Sequence, residues 1–168
     1  MLSQVCKCTV ILIFSGGIVV SSITLNRVML FKDVSPSVLE KISLHCEELA
    51  FQKGQTIFRE SEKADKVHFL IKGSVTLRVS IMTRPESIPV SFVSKSNECF
   101  GWSGLVSPHY YTASAICEED SQILTISGAA LLQILSQNTE AGFLVMYRIA
   151  NLVSERLRNS RQALIKTL

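Results

Sequence analysis

Phe100-Gly101-Trp102-Ser103-Gly104-Leu105 runs on through Tyr110-Tyr111-Thr112-Ala113-Ser114-Ala115. The order is a Phe-Gly turn, a short polar-apolar segment and a small-residue strand. That layout suits a cradle for an anion, with backbone N–H groups at a turn and a helix start pointing at a phosphate. A buried Arg normally completes such a cradle by pairing bidentately with the oxyanion. Here no Lys or Arg occurs between Lys95 and Arg148. A phosphate held by this stretch would rest on backbone dipoles and on the hydroxyls of Ser103, Thr112 and Ser114.

Upstream of the cradle the chain reads as short strands. Glu48–Gln52 and Thr56–Glu60 flank Lys53-Gly54-Gln55, and Val67–Ile71 is followed by Lys72-Gly73. In the next strand Val75, Leu77 and Val79 alternate with Ser74, Thr76, Arg78 and Ser80, the period of a half-buried strand. Ile88, Val90 and Phe92 alternate again, and Thr112–Cys117 and Gln122–Ile126 follow the cradle. Short strands at regular intervals, punctuated by turns, predict a β-sandwich, jelly roll or barrel. Gly54 and Gly73 stand where tight turns call for positive φ. Before the strands, Ser35 and Pro36 start a short helix as N-cap and first helical residue, with Leu39, Ile42 and Cys46 at helical spacing. Ser37 and Glu40 offer a capping box as the alternative start.

Taken together, these residues resemble the cyclic nucleotide-binding domain, the family of the cyclic AMP receptor protein and of the regulatory subunits of cyclic-nucleotide-dependent kinases. Gly54, Ile57, Gly73, Val75 and Gly101 fall where that family places a turn glycine, a core aliphatic, a second turn glycine, a strand residue and the cassette glycine. Glu60-Ser61-Glu62-Lys63-Ala64-Asp65 is similar to the family's acidic loop, with Ser and Ala in place of glycines. The resemblance covers about Leu30 to Lys166. It implies a mainly β fold with helices: a double-stranded β-helix or jelly-roll β-roll, flanked by a short N-terminal helix and a long C-terminal helix. It also implies a ligand site at Phe100, Gly101, Trp102, Ser103, Gly104, Leu105, Tyr111, Thr112 and Ser114. In the family a Glu after the Phe-Gly pair holds the ribose hydroxyl, and an Arg further on grips the cyclic phosphate. This chain has Trp102 at the first position and Tyr111 or Thr112 at the second. Losing the charge-assisted pair costs ~2–5 kcal/mol if the phosphate stays desolvated, which moves a micromolar site to the millimolar range. Trp102 would fill the sugar's space or stack on a flat ligand. Arg148 is the candidate to swing in and restore the charge.

The C-terminal third reads as helical. Ser127 caps Gly128–Leu135, and Asn138-Thr139-Glu140 opens a longer helix. Along it Phe143, Met146, Ala150, Val153, Leu157, Ser160 and Leu164 follow a 3-4 alternation, the seam of a coiled coil. In the resembling regulators this helix pairs two subunits, so Phe143, Met146, Ala150, Val153 and Leu157 are expected at a dimer or partner interface. The other reading packs the stripe against the chain's own β-roll. Since the sequence stops at Leu168, the helix-turn-helix of DNA-binding members has no room, and sequence-specific DNA binding by this chain is not expected.

Composition sets few further bounds. Net charge +3 does not by itself argue for nucleic acid. Arg156, Arg158, Arg161 and Lys166 suit the negative end of a helix dipole. Cys6, Cys8, Cys46, Cys99 and Cys117 are an odd, scattered set without zinc-finger spacing, consistent with reduced thiols. Cys6-Lys7-Cys8 does not reproduce an iron-sulfur ligand set, and no metal or other cofactor is expected. His45, His68 and His109 are isolated, and no nucleophile elbow, P-loop or metal motif accompanies them, so no catalytic residue is expected.

Residues 8–25 are apolar and almost uncharged, broken by Ser15-Gly16-Gly17. They would only just span a membrane. A membrane anchor, a signal segment and residues upstream of the true start remain open for residues 1–28. The sequence thus predicts three parts: that leader, a β-roll over 29–137, and a dimerisation-type helix over 138–168. The expected role is a non-enzymatic, cytoplasmic sensor for a small molecule. The pocket is expected to be closed or retuned to a less charged ligand, with weak binding of cyclic AMP or cyclic GMP as the alternative. A homodimer or partner protein would receive the signal, and tethering through residues 8–25 is the alternative location. A dimerisation module without any small-molecule ligand is the alternative function.

Overall fold

The computed structural model describes residues 13–14, 17–19, 25–82 and 86–166. Its strands are β1 (Ile13–Phe14), β2 (Gly17–Val19), β3 (Cys46–Phe51), β4 (Thr56–Phe58), β5 (Lys66–Lys72), β6 (Val75–Val79), β7 (Ile88–Val93), β8 (Cys99–Phe100), β9 (Ser114–Cys117) and β10 (Ser121–Ser127). Three α-helices lie wholly within the described residues: α1 (Pro36–Ser43), α2 (Gly128–Ser136) and α3 (Thr139–Lys166). The strands form two antiparallel sheets, ordered β1-β2-β3-β10-β5-β8 and β4-β9-β6-β7. This is the jelly-roll β-roll with a short leading helix and a long trailing one that the sequence predicts.

Alternation along the central strands explains the layering. On β5, Val67 and Phe69 face a core shared with the helices, while Leu70 belongs to a core between the sheets. On β10, Leu124 and Ile126 join the first core and Ile123 the second. The larger sheet is therefore buried on both faces at its central strands β10 and β5. The first core takes Leu39 and Ile42 from α1, Leu131 and Leu135 from α2, and Val145 and Ile149 from α3. The helices start as read: Ser35 precedes Pro36 at the N-terminus of α1, and the Ser127 hydroxyl accepts the Ala130 N–H at the start of α2.

Where it is described, the leader meets the larger sheet and the first core. Gly17–Val19 pairs with Glu47 and Glu48 on β3, and Ile13–Phe14 pairs back on it as a small hairpin. Leu25 and Val28 are fully buried in the first core. Both positions, which the sequence assigns to the leader, thus contribute to that core. Cys6, Cys8 and most of the stretch read as an anchor lie outside the described residues. Among the described residues no helix is long and apolar enough to cross a membrane.

A close backbone crossing fixes the cassette against the roll. A Cβ on Gly104 would lie 2.8 Å from the Lys66 carbonyl oxygen, and one on Gly128 would collide with the carbonyl of Gly104. The turn after β8, the start of β5 and the start of α2 meet there at a separation that excludes any side chain.

Candidate functional site

The cassette begins at Gly101, which adopts φ +67 and starts a 3-10 turn over Trp102–Gly104. Only glycine takes that conformation cheaply, and a Cβ there would approach the His68 ring to 2.8 Å. Beyond the turn, the acidic loop is zipped to the segment that returns toward β9. The Ser61 N–H donates to Tyr111 O at 2.8 Å, Tyr111 N–H to Glu62 O at 2.9 Å, and Ala64 N–H to His109 O at 2.8 Å. Ser61 holds φ +67 in that loop, a left-handed conformation that favours glycine. The Glu60 N–H adds a bond to the Ser114 hydroxyl at 2.9 Å.

These ties aim Tyr111 inward. Its ring stacks on Phe58 with centroids 3.8 Å apart, and only 5% of the residue is exposed. Its hydroxyl donates to the Lys66 carbonyl at 2.9 Å and lies 3.2 Å from His68 Nε2. Because the phenol proton is spent on Lys66, Nε2–H is the donor to the phenol oxygen. Nδ1 is then the bare acceptor, buried with no partner. A proton on Nδ1 would be equally orphaned. Burial, with the Lys66 charge second, pushes the His68 pKa down to about 3. Burial pushes the Tyr111 phenol up to about 12. Phe58, His68, Phe100 and Tyr111 thus form a packed aromatic floor with no free charge.

Above this floor lies a cleft of about 320 Å³. Of the residues that the resemblance implies for a site, Gly101, Trp102, Ser103, Tyr111 and Thr112 line it. Phe100, Gly104, Leu105 and Ser114 do not. Phe100 and Leu105 are core residues, Gly104 serves the backbone crossing, and the Ser114 hydroxyl is engaged by the acidic loop. Leu77, Val79 and Val90 supply an apolar wall from β6 and β7.

The opposite wall is α3. Arg156, Asn159 and Ser160 line the cleft. The Arg156 guanidinium carbon sits 4.4 Å from the Trp102 ring centroid, a cation–π stack. Its Nη2 donates to the Cys99 carbonyl at 3.2 Å and lies 3.5 Å from Glu98 Oε1. Burial lowers the Arg156 pKa, with Glu98 acting against that, and the guanidinium remains charged.

Arg148 does not reach the cassette. It donates to the carbonyls of Leu30 and Lys32 and pairs with Asp33 Oδ2 at 2.9 Å, tying α3 to the N-terminal turn. The basic residue at the site is therefore Arg156, which the sequence places in a C-terminal cluster suited to the helix dipole. One signal could have found it. Val145, Ile149, Leu152, Arg156 and Asn159 lie on a single helical face, and the first three pack on the core. The outward stripe is a different face: Phe143 is 71% exposed, Leu157 61%, Val153 41% and Met146 38%, with Ala150 exposed beside them. Packing on the β-roll is done by the other face of α3.

Cys46, Cys99 and Cys117 are buried, and desolvation holds their thiols well above the usual range, Cys46 and Cys99 at about 12. Such thiols are unreactive.

Residues 48–138 match the family model described as cyclic nucleotide-binding domain. Among solved structures, one from Geobacter metallireducens, itself assigned provisionally as a cyclic nucleotide-binding protein, is 30% identical with a TM-score of 0.71. That match covers 82% of this chain and 98% of the other. A cyclic nucleotide-binding domain from Methylobacillus flagellatus superposes with a TM-score of 0.73 at 19% identity, over 86% of this chain and 80% of that one. Among curated proteins, the Drosophila melanogaster cGMP-dependent protein kinase, isozyme 2 forms cD5/T2, is 29% identical over 118 residues. These make up 69% of this chain but only 12% of the kinase. The chain thus spans a small part of the curated kinases it matches. More than half of the sequence fits the family model, and the roll, the acidic loop and the cassette turn occupy the expected order: the chain belongs to the cyclic nucleotide-binding domain family.

Proposed function

We propose that this domain is a non-enzymatic, cytoplasmic sensor that binds a small molecule in the cleft and relays its presence through α3. One observation carries the reading: the cleft has the cassette turn as one wall and the inward face of α3 as the other. Any ligand there touches both, so binding free energy that differs between two positions of α3 shifts the helix. In this reading residues 29–137 form the sensing roll, residues 138–168 the relay, and a second copy or partner protein the receiver. Cyclic AMP and cyclic GMP are weak ligands, because Tyr111 is committed to Phe58, His68 and Lys66 and Trp102 offers no carboxylate to a ribose. Thermal denaturation with cyclic AMP, cyclic GMP and a metabolite panel tests the proposal. A ligand present at a hundred times its Kd stabilises the fold by about 2.7 kcal/mol. A panel that leaves the melting temperature unmoved contradicts it.

A second reading draws on the exposed stripe of α3. An assembly module without a ligand would use Phe143, Met146, Val153 and Leu157 for pairing and keep its aromatic floor as plain core.

A further inference from the structure

Among the described residues that line the cleft, Arg156 alone carries a permanent charge. The rest of the lining is hydroxyl and amide (Ser103, Thr112, Asn159) or apolar (Leu77, Val79, Val90). A cleft with a single positive charge and an apolar wall suits a ligand with one anionic end and an uncharged body. The guanidinium is pre-oriented by its stack on Trp102, and one nitrogen, Nη2, makes both of its recorded polar contacts. An oxyanion accepts two parallel N–H bonds from such a fork. Each fork uses Nη2, so a bidentate anion takes the Nη2–H that faces Glu98 together with Nε or Nη1, neither of which has a partner among the described residues.

A carboxylate already stands next to it. Glu98 lies in the turn before β8, its Oε1 3.5 Å from Nη2, a separation at the edge of hydrogen-bond reach. Both side chains are mostly shielded, 18% and 26% exposed, so their attraction is screened less than that of a surface pair. Glu98 is therefore a loosely held counter-ion of Arg156 that does not itself line the cleft.

Resting on the sensor reading above, we infer that the ligand is an amphiphilic oxyanion, a carboxylate or phosphate monoester with an apolar body, whose anionic end takes Arg156 in competition with Glu98. The charge that the cassette lacks is carried by the helix that must respond, so an anion entering the cleft binds α3 directly. Glu98 occupies that charge in the empty state and sets the threshold for exchange.

Trp102 is the only tryptophan of the chain, so its emission reports directly on the Arg156 stack. The test titrates octanoate, phenyl phosphate and the neutral octanamide into the wild-type chain and into Glu98→Gln, Arg156→Gln and Arg156→Lys. The Gln at 98 keeps an acceptor for the Lys95 N–H, and cooperative melting of each variant checks its fold. At least one oxyanion is expected to change Trp102 emission, with octanamide inert. The responding oxyanion distinguishes a carboxylate from a phosphate ligand. Glu98→Gln should tighten its binding several-fold, Arg156→Gln should weaken it by about tenfold or more, and Arg156→Lys, a point charge without the fork, should fall between. Octanamide binding as tightly as octanoate, or Glu98→Gln leaving affinity unchanged or weaker, overturns the inference. So does silence from both oxyanions at millimolar concentration in wild type and Glu98→Gln. A neutral metabolite that stabilises the fold and alters Trp102 emission while both oxyanions fail would remove the anion anchor and leave the sensor reading standing.

Discussion

At position 111, one of the two places where the resemblance implies a phosphate-binding Arg, stands a phenol whose hydroxyl is spent on the Lys66 carbonyl and the His68 ring. Tyr111→Phe leaves that buried imidazole nitrogen unpaired, which costs about 1–3 kcal/mol of stability, measurable by denaturant unfolding. His68 gives the fold a pH dependence of fixed sign. Its folded pKa is near 3 against an ordinary 6.5, so the unfolded chain binds the extra proton between those values. The stabilisation is complete above about pH 6.5 and is lost as pH falls toward 3. Between neutrality and pH 5 this amounts to about 2 kcal/mol. His68→Phe should lose that slope, and a slope identical to wild type would show that the ring titrates normally. At this scale the sequence raises the question of the missing charges, because the resemblance implies charged residues at Trp102 and at Tyr111 or Thr112. It does not announce what Trp102 and Tyr111 do instead. Tyr111 as core and not surface follows from backbone bonds to residues 61–64, distant in sequence and invisible to any local period.

Among the elements, the strands and their turns were legible because alternation and turn glycines act locally: Gly54 and Gly73 do adopt positive φ. Helix α3 was half legible. Its outward stripe is conspicuous as Phe143, Met146, Val153 and Leu157, whereas its inward face ends in polar residues, so Arg156 passes for surface. Two glycines belong to this scale. Gly104→Ala sets a Cβ against the Lys66 carbonyl with only backbone to give way. It should cost roughly 1–3 kcal/mol and lower the melting temperature, although the position is conformationally ordinary. Ser61→Gly, by contrast, relieves a positive φ, and its expected effect on unfolding free energy is neutral to slightly stabilising, within about 0.5 kcal/mol. A clear loss there would mean that the serine side chain supports the loop.

For the whole molecule, two faces of one helix divide the labour. Val145, Ile149 and Arg156 look into the roll and the cleft, and the stripe from Phe143 to Leu157 looks outward. If that stripe pairs two chains, Val153→Asp with Leu157→Glu should shift light-scattering mass toward the monomer while leaving the melt of the roll cooperative. An unchanged mass would remove the stripe from assembly. The measurement closest to the central claim is hydrogen–deuterium exchange with and without a ligand that stabilises the fold. Ligand in the cleft is expected to change protection of residues 100–105 and of α3 around Arg156 together, and the α3 change should vanish in Arg156→Gln. Protection confined to the cassette, with exchange along α3 unaltered, would contradict a sensor that signals through its helix.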